Sequence, residues 1–187
     1  FEGKDITGMK ACECLSKGIS YIPQGRVVFT YLTVKENLEM GAYTVKDREV
    51  VRERVEEVYN RFPILKEREN QFAGALSGGE QTMLILGMAL MTRPKIIMFD
   101  EPSLGLAPKV CEDVYRDIVG IKNDRIPVVI VEQNVRKALT FADRVYVLDQ
   151  GRNKFESSSK DFLRDDELVR LYLGMQKPNT FRTVEHS

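Results

Sequence analysis

Histidine is almost absent from this sequence, and so is any imbalance of charge. Its 187 residues include one histidine, His186, and three cysteines, Cys12, Cys14 and Cys111. Structural zinc sites draw their ligands mainly from Cys and His, so the C-x-C at Cys12 and Cys14 lacks partners and reads as a pair of incidental thiols. Three thiols give no disulfide framework either, which suits a reducing compartment. Lysine plus arginine, 28, equals aspartate plus glutamate, 28. Without a basic field no nucleic-acid partner is expected. The longest apolar run, Met83 to Met91, is nine residues counting Gly87, whereas a membrane-spanning helix needs about 20. Any membrane role must come through a partner. No basic leader followed by an apolar run opens the chain, so no secretory signal is expected. The first residue is Phe1 rather than Met, and a fragment of a longer product is the expectation. The length suits one sizeable core with a smaller appended subdomain.

What is present is an ordered series of elements. Phe1 to Gly8 reads as the end of a strand or hairpin entering a turn, and Ile19 to Ile22 as a strand stopped by Pro23. Thr33 and Glu36 stand in capping-box spacing, which predicts a helix from Val34 to about Met40. Val51, Val55, Val58, Tyr59 and Phe62 recur at helical spacing with Arg and Glu between them, predicting an amphipathic helix from Asp47 to Phe62 closed by Pro63. "KIIMFD", ending at Asp100, is a continuous apolar run of strand length, the pattern of a strand buried on both faces of a parallel sheet. Pro108 opens a helix to about Lys122, "PVVIVE" is a second buried strand, Asn134 caps a helix through Ala142, and "DRVYVLD" is a third strand. "DQGR" is a turn, "DDELVRLYLG" a final helix stopped by Gly174, and Met175 to Ser187 a loose polar tail. The β-α-β-α-β order predicts a doubly wound α/β sheet, whose ligands bind beyond the carboxyl ends of the strands. Those ends carry Asp100, Glu101, Glu132 and Gln133.

"ALSGGEQTML" is the remaining signal. Ser77 and Glu80 fit a capping box, with an apolar helical run behind them. The first N–H groups of a helix have no intrahelical partner and favour an anion, and Gly78 and Gly79 would let one approach the backbone. An ordinary capped helix and a phosphate site are both compatible with this stretch alone.

The motifs taken together resemble a known family. "LSGGEQ" followed by "IIMFDEP" resembles the signature motif and Walker B strand of an ATP-binding cassette (ABC) ATPase. "YIPQG", "SLGLAP" and "VEQN" fall where that family has its Q-loop, D-loop and switch. "GKDITG", "GRVVF", "LTVKENLEMGAY" and "DEPSLGLAP" are similar to the shorter of the two ATPase subunits in bacterial branched-chain amino acid importers, with urea and amide importers as the nearest alternative.

The resemblance implies an α/β fold, a P-loop NTPase-like parallel sheet flanked by helices with a helical signature subdomain. That subdomain would cover about 30–92, the ATPase core 1–29 and 93–173, and a flexible tail 174–187. It implies ATP and Mg²⁺ as ligands, with Asp100 holding the metal through water, Glu101 as general base, and Gln24 reaching metal or water. Gln133 would contact the γ-phosphate where most members have histidine. Ser77, Gly78, Gly79, Glu80, Gln81 and Ser103 would bind nucleotide held by a second protomer. Implied partners are a second ABC ATPase subunit, two transmembrane permease subunits and, indirectly, an extracytoplasmic amino acid-binding protein, at the cytoplasmic face of the bacterial inner membrane. Gln24 to Phe62 would face the permease. Thr82, Met88 and Leu106 depart from the family's usual Gln, Arg and Asp, and no G-x-x-x-x-G-K-[ST] phosphate loop occurs. Since "FEGKDITG" matches a stretch that follows that loop in the family, N-terminal truncation is expected, and the 187 residues alone are not expected to hydrolyse ATP. Rival readings are a non-hydrolysing pairing module and a soluble ABC protein of translation or DNA repair. The former has no need of Glu101; the latter would need a second cassette or coiled-coil insertion.

Overall fold

The computed structural model describes residues 1–25 and 27–173, so the expected helix stop at Gly174 and the tail lie outside the described residues. Two compact units divide the chain, Phe1–Val131 and Glu132–Ser187.

The first unit opens with two tight turns rather than a strand end. Local hydrogen bonds, Lys4 N–H to the Phe1 carbonyl (3.0 Å) and Met9 N–H to that of Ile6 (3.1 Å), occupy the backbone groups a ladder would use. A short helix the sequence pattern did not show, α1 (Ala11–Ser16), leads to β1 (Ile19–Ile22). From there α2 (Val34–Gly41), α3 (Arg48–Arg61), α4 (Pro63–Glu67), a 3₁₀ turn (Ala73–Ala75) and α5 (Gly78–Leu90) lead to β2 (Ile96–Asp100). One helix, α6 (Pro108–Asn123), then leads to β3 (Val128–Val131). The strands are parallel in the order β1-β2-β3, which is why helical crossovers separate them. Pro63 both ends α3 and opens α4, since a proline at the first helical position loses no intrahelical bond.

Register decides which side chains share a face. Ser20, Ile22, Ile97 and Phe99 are buried, whereas Tyr21, Met98, Val129 and Val131 are exposed. Burial of β2 and β3 on both faces, expected from their apolar runs, is therefore not found. Ile22 and Phe99 line one cavity with Ile85 and Leu86 of α5 and Val114 of α6, so those helices lie over this face.

The helical layer depends on caps and close approach. Thr33 and Glu36 form the expected box, the Glu36 carboxylate accepting the Thr33 N–H at 2.7 Å. Asn37, fully buried, organises the loop before it by accepting the Phe29 N–H (2.8 Å) and donating to the carbonyls of Phe29, Leu32 and Thr33. The end of α2 lies against α5 so tightly that a Cβ on Gly41 would sit 2.6 Å from the Met88 carbonyl oxygen and 2.8 Å from its Cα.

In the second unit α7 (Val135–Leu139) is followed by β4 (Arg144–Asp149), β5 (Arg152–Ser158), α8 (Ser159–Arg164) and α9 (Asp166–Leu173). α7 stops three residues short of the predicted Ala142, where Ser159 instead holds the chain through the Ala142 and Asp143 carbonyls. β4, expected as a third parallel strand, pairs antiparallel with β5. The cause is the "DQGR" turn: Gln150 and Gly151 both take positive φ (48° and 74°), the geometry of a two-residue hairpin. Phe162 of α8 is fully buried, edge-on to Phe155 at 6.0 Å.

Because the atoms facing Gly41 belong to backbone, Gly41→Ala should destabilise the first unit by about 1–3 kcal/mol, the usual cost of overpacking. Urea midpoints of the two forms check this; equal midpoints would mean that α2 and α5 can move apart at no cost.

Candidate functional site

Asp100 and Glu101 stand together at the carboxyl end of β2, the central strand. The neighbouring end of β1 reaches both. The Gln24 amide donates to Glu101 Oε2 at 3.0 Å and the Tyr21 hydroxyl to Asp100 Oδ2 at 3.0 Å, contacts across 77 and 79 residues of sequence. On the other side the Glu101 N–H donates to the Val131 carbonyl of β3 (2.9 Å). Glu101 adopts a positive φ of 47°, a left-handed conformation that costs a non-glycine residue of order 1–3 kcal/mol and gathers at functional sites. The turn behind it is closed by the Leu104 N–H donating to the Glu101 carbonyl (3.1 Å).

The donors gathered here are hard oxygens: two carboxylates and the carbonyl of an amide. Among the described residues no group of three or more His, Cys, Asp or Glu forms a cage that would hold a metal ion by itself. Mg²⁺ is usually bound by one or two carboxylates together with substrate phosphates and waters rather than by an all-protein cage. Asp100 and Glu101 therefore fit a metal that arrives with a phosphorylated substrate.

Ser77, Gly78, Gly79 and Glu80 occupy a second place, the start of α5. They line a cleft of about 420 Å³ whose far wall includes Leu106, Val110 and Asp117, and neither Asp100 nor Glu101 lines it. The capping box is formed: the Ser77 N–H donates to Glu80 Oε2 (2.7 Å) and the Glu80 N–H to Ser77 Oγ (3.4 Å). The other Glu80 oxygen faces Arg68 Nε at 2.9 Å. Burial would raise the Glu80 pKa, but the Ser77 hydrogen bonds and the Arg68 charge outweigh it and hold it below its ordinary 4.5. Gln81 donates to the Ala73 carbonyl (3.2 Å), tying the helix start to the preceding turn. A Cβ on Gly79 would meet Val110 at 3.3 Å, so glycine suits the close packing there.

Ser103 lies in the turn between β2 and α6, its carbonyl 3.5 Å from Cys111 Sγ. Gln133 follows β3 and belongs to the second unit, where its carbonyl accepts the Val135 N–H (3.0 Å). Thus Gln24, Asp100 and Glu101 come together, and the residues Ser77 to Gln81 form a separate group. Tyr21 and Arg68 were missed by sequence reading. Neither had a sequence signal: Tyr21 meets Asp100 only through the register of β1 on β2, and the partner of Arg68 is set by the fold of the chain after α4 onto α5.

The sequence model of the ABC transporter family matches residues 1–104. The chain is 41% identical over 174 residues to the high-affinity branched-chain amino acid transport ATP-binding protein BraG of Pseudomonas aeruginosa, covering 93% of this chain and 74% of that protein. It is 37% identical to the probable branched-chain amino acid transport ATP-binding protein LivF of Archaeoglobus fulgidus, covering 92% and 73%. The lipopolysaccharide export system ATP-binding protein LptB of Haemophilus influenzae is 33% identical, covering 94% and 73%. Among solved structures, the ADP conformation of an ATP-binding cassette of an ABC transporter superposes with a TM-score of 0.77 at 30% identity, covering 94% of this chain and 76% of that one.

The capping box can be tested by titration. A carboxyl whose folded pKa is depressed contributes stability above its unfolded value, and the contribution vanishes as pH falls through the folded value. Glu80→Gln should therefore be less stable than the parent chain at neutral pH, with the gap closing as urea midpoints are taken below pH 4.5. A gap independent of pH would remove the ionised carboxylate from the cap. Ser77→Ala should cost about 0.5–2 kcal/mol, as N-cap losses do.

Proposed function

The chain belongs to the ABC transporter ATP-binding family, and from that premise we propose that it energises import of branched-chain amino acids. ATP would bind between two such subunits beneath a pair of transmembrane permeases, at the cytoplasmic face of the bacterial inner membrane. The observation that carries the hydrolytic part is the meeting of Gln24, Asp100 and Glu101 at one end of a parallel sheet. The higher identity to BraG and LivF than to LptB favours amino acids as cargo.

Each residue then has a task in phosphoryl transfer. Mg²⁺ bound with the nucleotide would neutralise charge on the β- and γ-phosphate oxygens. Asp100, at the strand end, offers its carboxylate to the metal's water shell. Glu101, in the left-handed turn that follows β2, takes the proton of the attacking water. Gln24, whose amide already donates to Glu101, orients that carboxylate. Gln133 approaches the γ-phosphate as an uncharged donor. Ser77 and the N–H groups of Gly78 and Gly79 close over nucleotide bound by the opposite subunit, while Glu80 and Gln81 hold that helix start in shape and Ser103 contributes from the turn after β2.

Between Gln24 and Phe62 the permease-facing surface would use Phe29, Tyr31 and Tyr43, which are 47%, 91% and 61% exposed. Exposed aromatics grouped in one segment suit a protein interface. No helix among the described residues is long and apolar enough to cross a membrane, so contact with the bilayer system would run through that surface. An intact Glu101 disfavours a purely non-hydrolysing pairing role.

In the assembled transporter, Glu101→Gln should retain ATP and lower turnover by about 10²–10⁴-fold, the range of general-base catalysis. Hydrolysis near the parent rate would end the base assignment. The 187 residues by themselves contain no G-x-x-x-x-G-K-[ST] to cradle the phosphates. They should show no magnesium-dependent phosphate release in a purified assay, and measurable turnover would mean that another element does the cradling.

A further inference from the structure

We propose that Tyr21 is a positioning residue for Asp100, its phenol fixing the carboxylate in the orientation that receives the metal. The proposal rests on the assignment of Asp100 to Mg²⁺ made above.

The geometry comes from the sheet. Tyr21 on β1 is paired with Met98 on β2, and Asp100 lies two residues further along the same face. Such a diagonal neighbour is within reach of an aromatic side chain but beyond most shorter ones. The Tyr21 hydroxyl crosses that gap to donate to Asp100 Oδ2 at 3.0 Å. Oδ1 is not engaged by Tyr21. A carboxylate at a half-buried strand end otherwise turns about its terminal torsion, which is broad and nearly two-fold. One directional hydrogen bond to a single oxygen breaks that equivalence and leaves a defined oxygen for the metal's water shell. The phenol suits the task because its ring has only two torsions to fix. A phenol keeps its proton throughout the neutral range, so the hydroxyl remains a donor.

β1 thereby serves both acids from two different mechanical positions. Tyr21 lies within the paired strand and addresses Asp100, whereas Gln24 lies beyond Pro23 in the loop and addresses Glu101. The metal-facing acid is tied to the paired strand and the water-facing acid to the loop that follows it.

The test uses the assembled transporter in a Glu101→Gln background, loaded with ATP and titrated with Mn²⁺, with bound metal followed by electron paramagnetic resonance. Tyr21→Phe keeps the ring and removes only the donor, and its thermal midpoint is measured alongside. Loss of a partner that orients a metal ligand weakens metal binding by 10–100-fold. Tyr21→Phe should weaken Mn²⁺ binding by about 10-fold, the low end of that range for an exposed site, and leave metal-free ATP affinity and the thermal midpoint unchanged. In an Asp100→Asn background it should have no further effect on the metal. If Asp100→Asn weakens Mn²⁺ binding while Tyr21→Phe binds as the parent does, the proposal fails and the metal assignment stands. If Asp100→Asn leaves Mn²⁺ binding intact, the metal assignment itself falls and takes the proposal with it. Equal losses from Tyr21→Phe with and without Asp100 would overturn the positioning role, since the phenol would then act elsewhere.

Discussion

The parallel register of β1, β2 and β3 is the constraint from which the rest of this molecule follows. Pairing Ile22 with Phe99 and Asp100 with Val131 brings three strand ends to one edge. Parallel strands can be joined only by long crossovers, so the sheet obliges the chain to build helices between its functional segments. The same pairing sets the alternation that buries Ile97 and Phe99 and turns Asp100 to the opposite face with Tyr21. A one-residue slip in β1 would place Tyr21 on the wrong face for Asp100 and bury it in place of Ser20 or Ile22.

Chemistry at that edge is organised by polar contacts over long sequence separations and by one strained residue. Glu101 holds a backbone conformation that an acid side chain adopts at a cost, yet its N–H and carbonyl are both bonded, to β3 and to the following turn. The surrounding sheet therefore over-determines the turn, which is the condition under which strain persists. The signature end of α5 is stabilised differently. Glu80 spends one oxygen on its own helix cap and the other on Arg68, just past α4, so this helix start is held from two sides. The helical layer behind it depends on close contact, with Gly41 against Met88 and the buried Asn37 satisfying four backbone groups of the loop from Phe29 to Thr33.

Much of this was legible from residue order. The capping boxes at Thr33 and Ser77, the stop at Pro23, the opening at Pro108 and the turn at Gln150 and Gly151 are local devices. They depend on residues within four positions of one another, so spacing alone reveals them. The apolar runs mark the strands but not their burial, because periodicity records hydrophobicity and not which neighbour supplies cover. The run at β4 likewise marks a strand but not its antiparallel pairing, since β5, rich in charge and serine, has no apolar run to announce it. α1 and α4 are six and five residues long, too short for a helical period to repeat.

By itself the sequence determined the family resemblance, the position of each motif on a strand end or helix start, and the residue types at the acid pair. Tertiary structure alone decided that Tyr21 rather than another donor engages Asp100, that Gln24 engages Glu101, and that Arg68 completes the Ser77 cap. The physical reason is separation: a hydrogen bond across 77 or 79 residues exists only once two strands have chosen a register. That choice is made by burial summed over the whole sheet face, not by the residues that benefit from it.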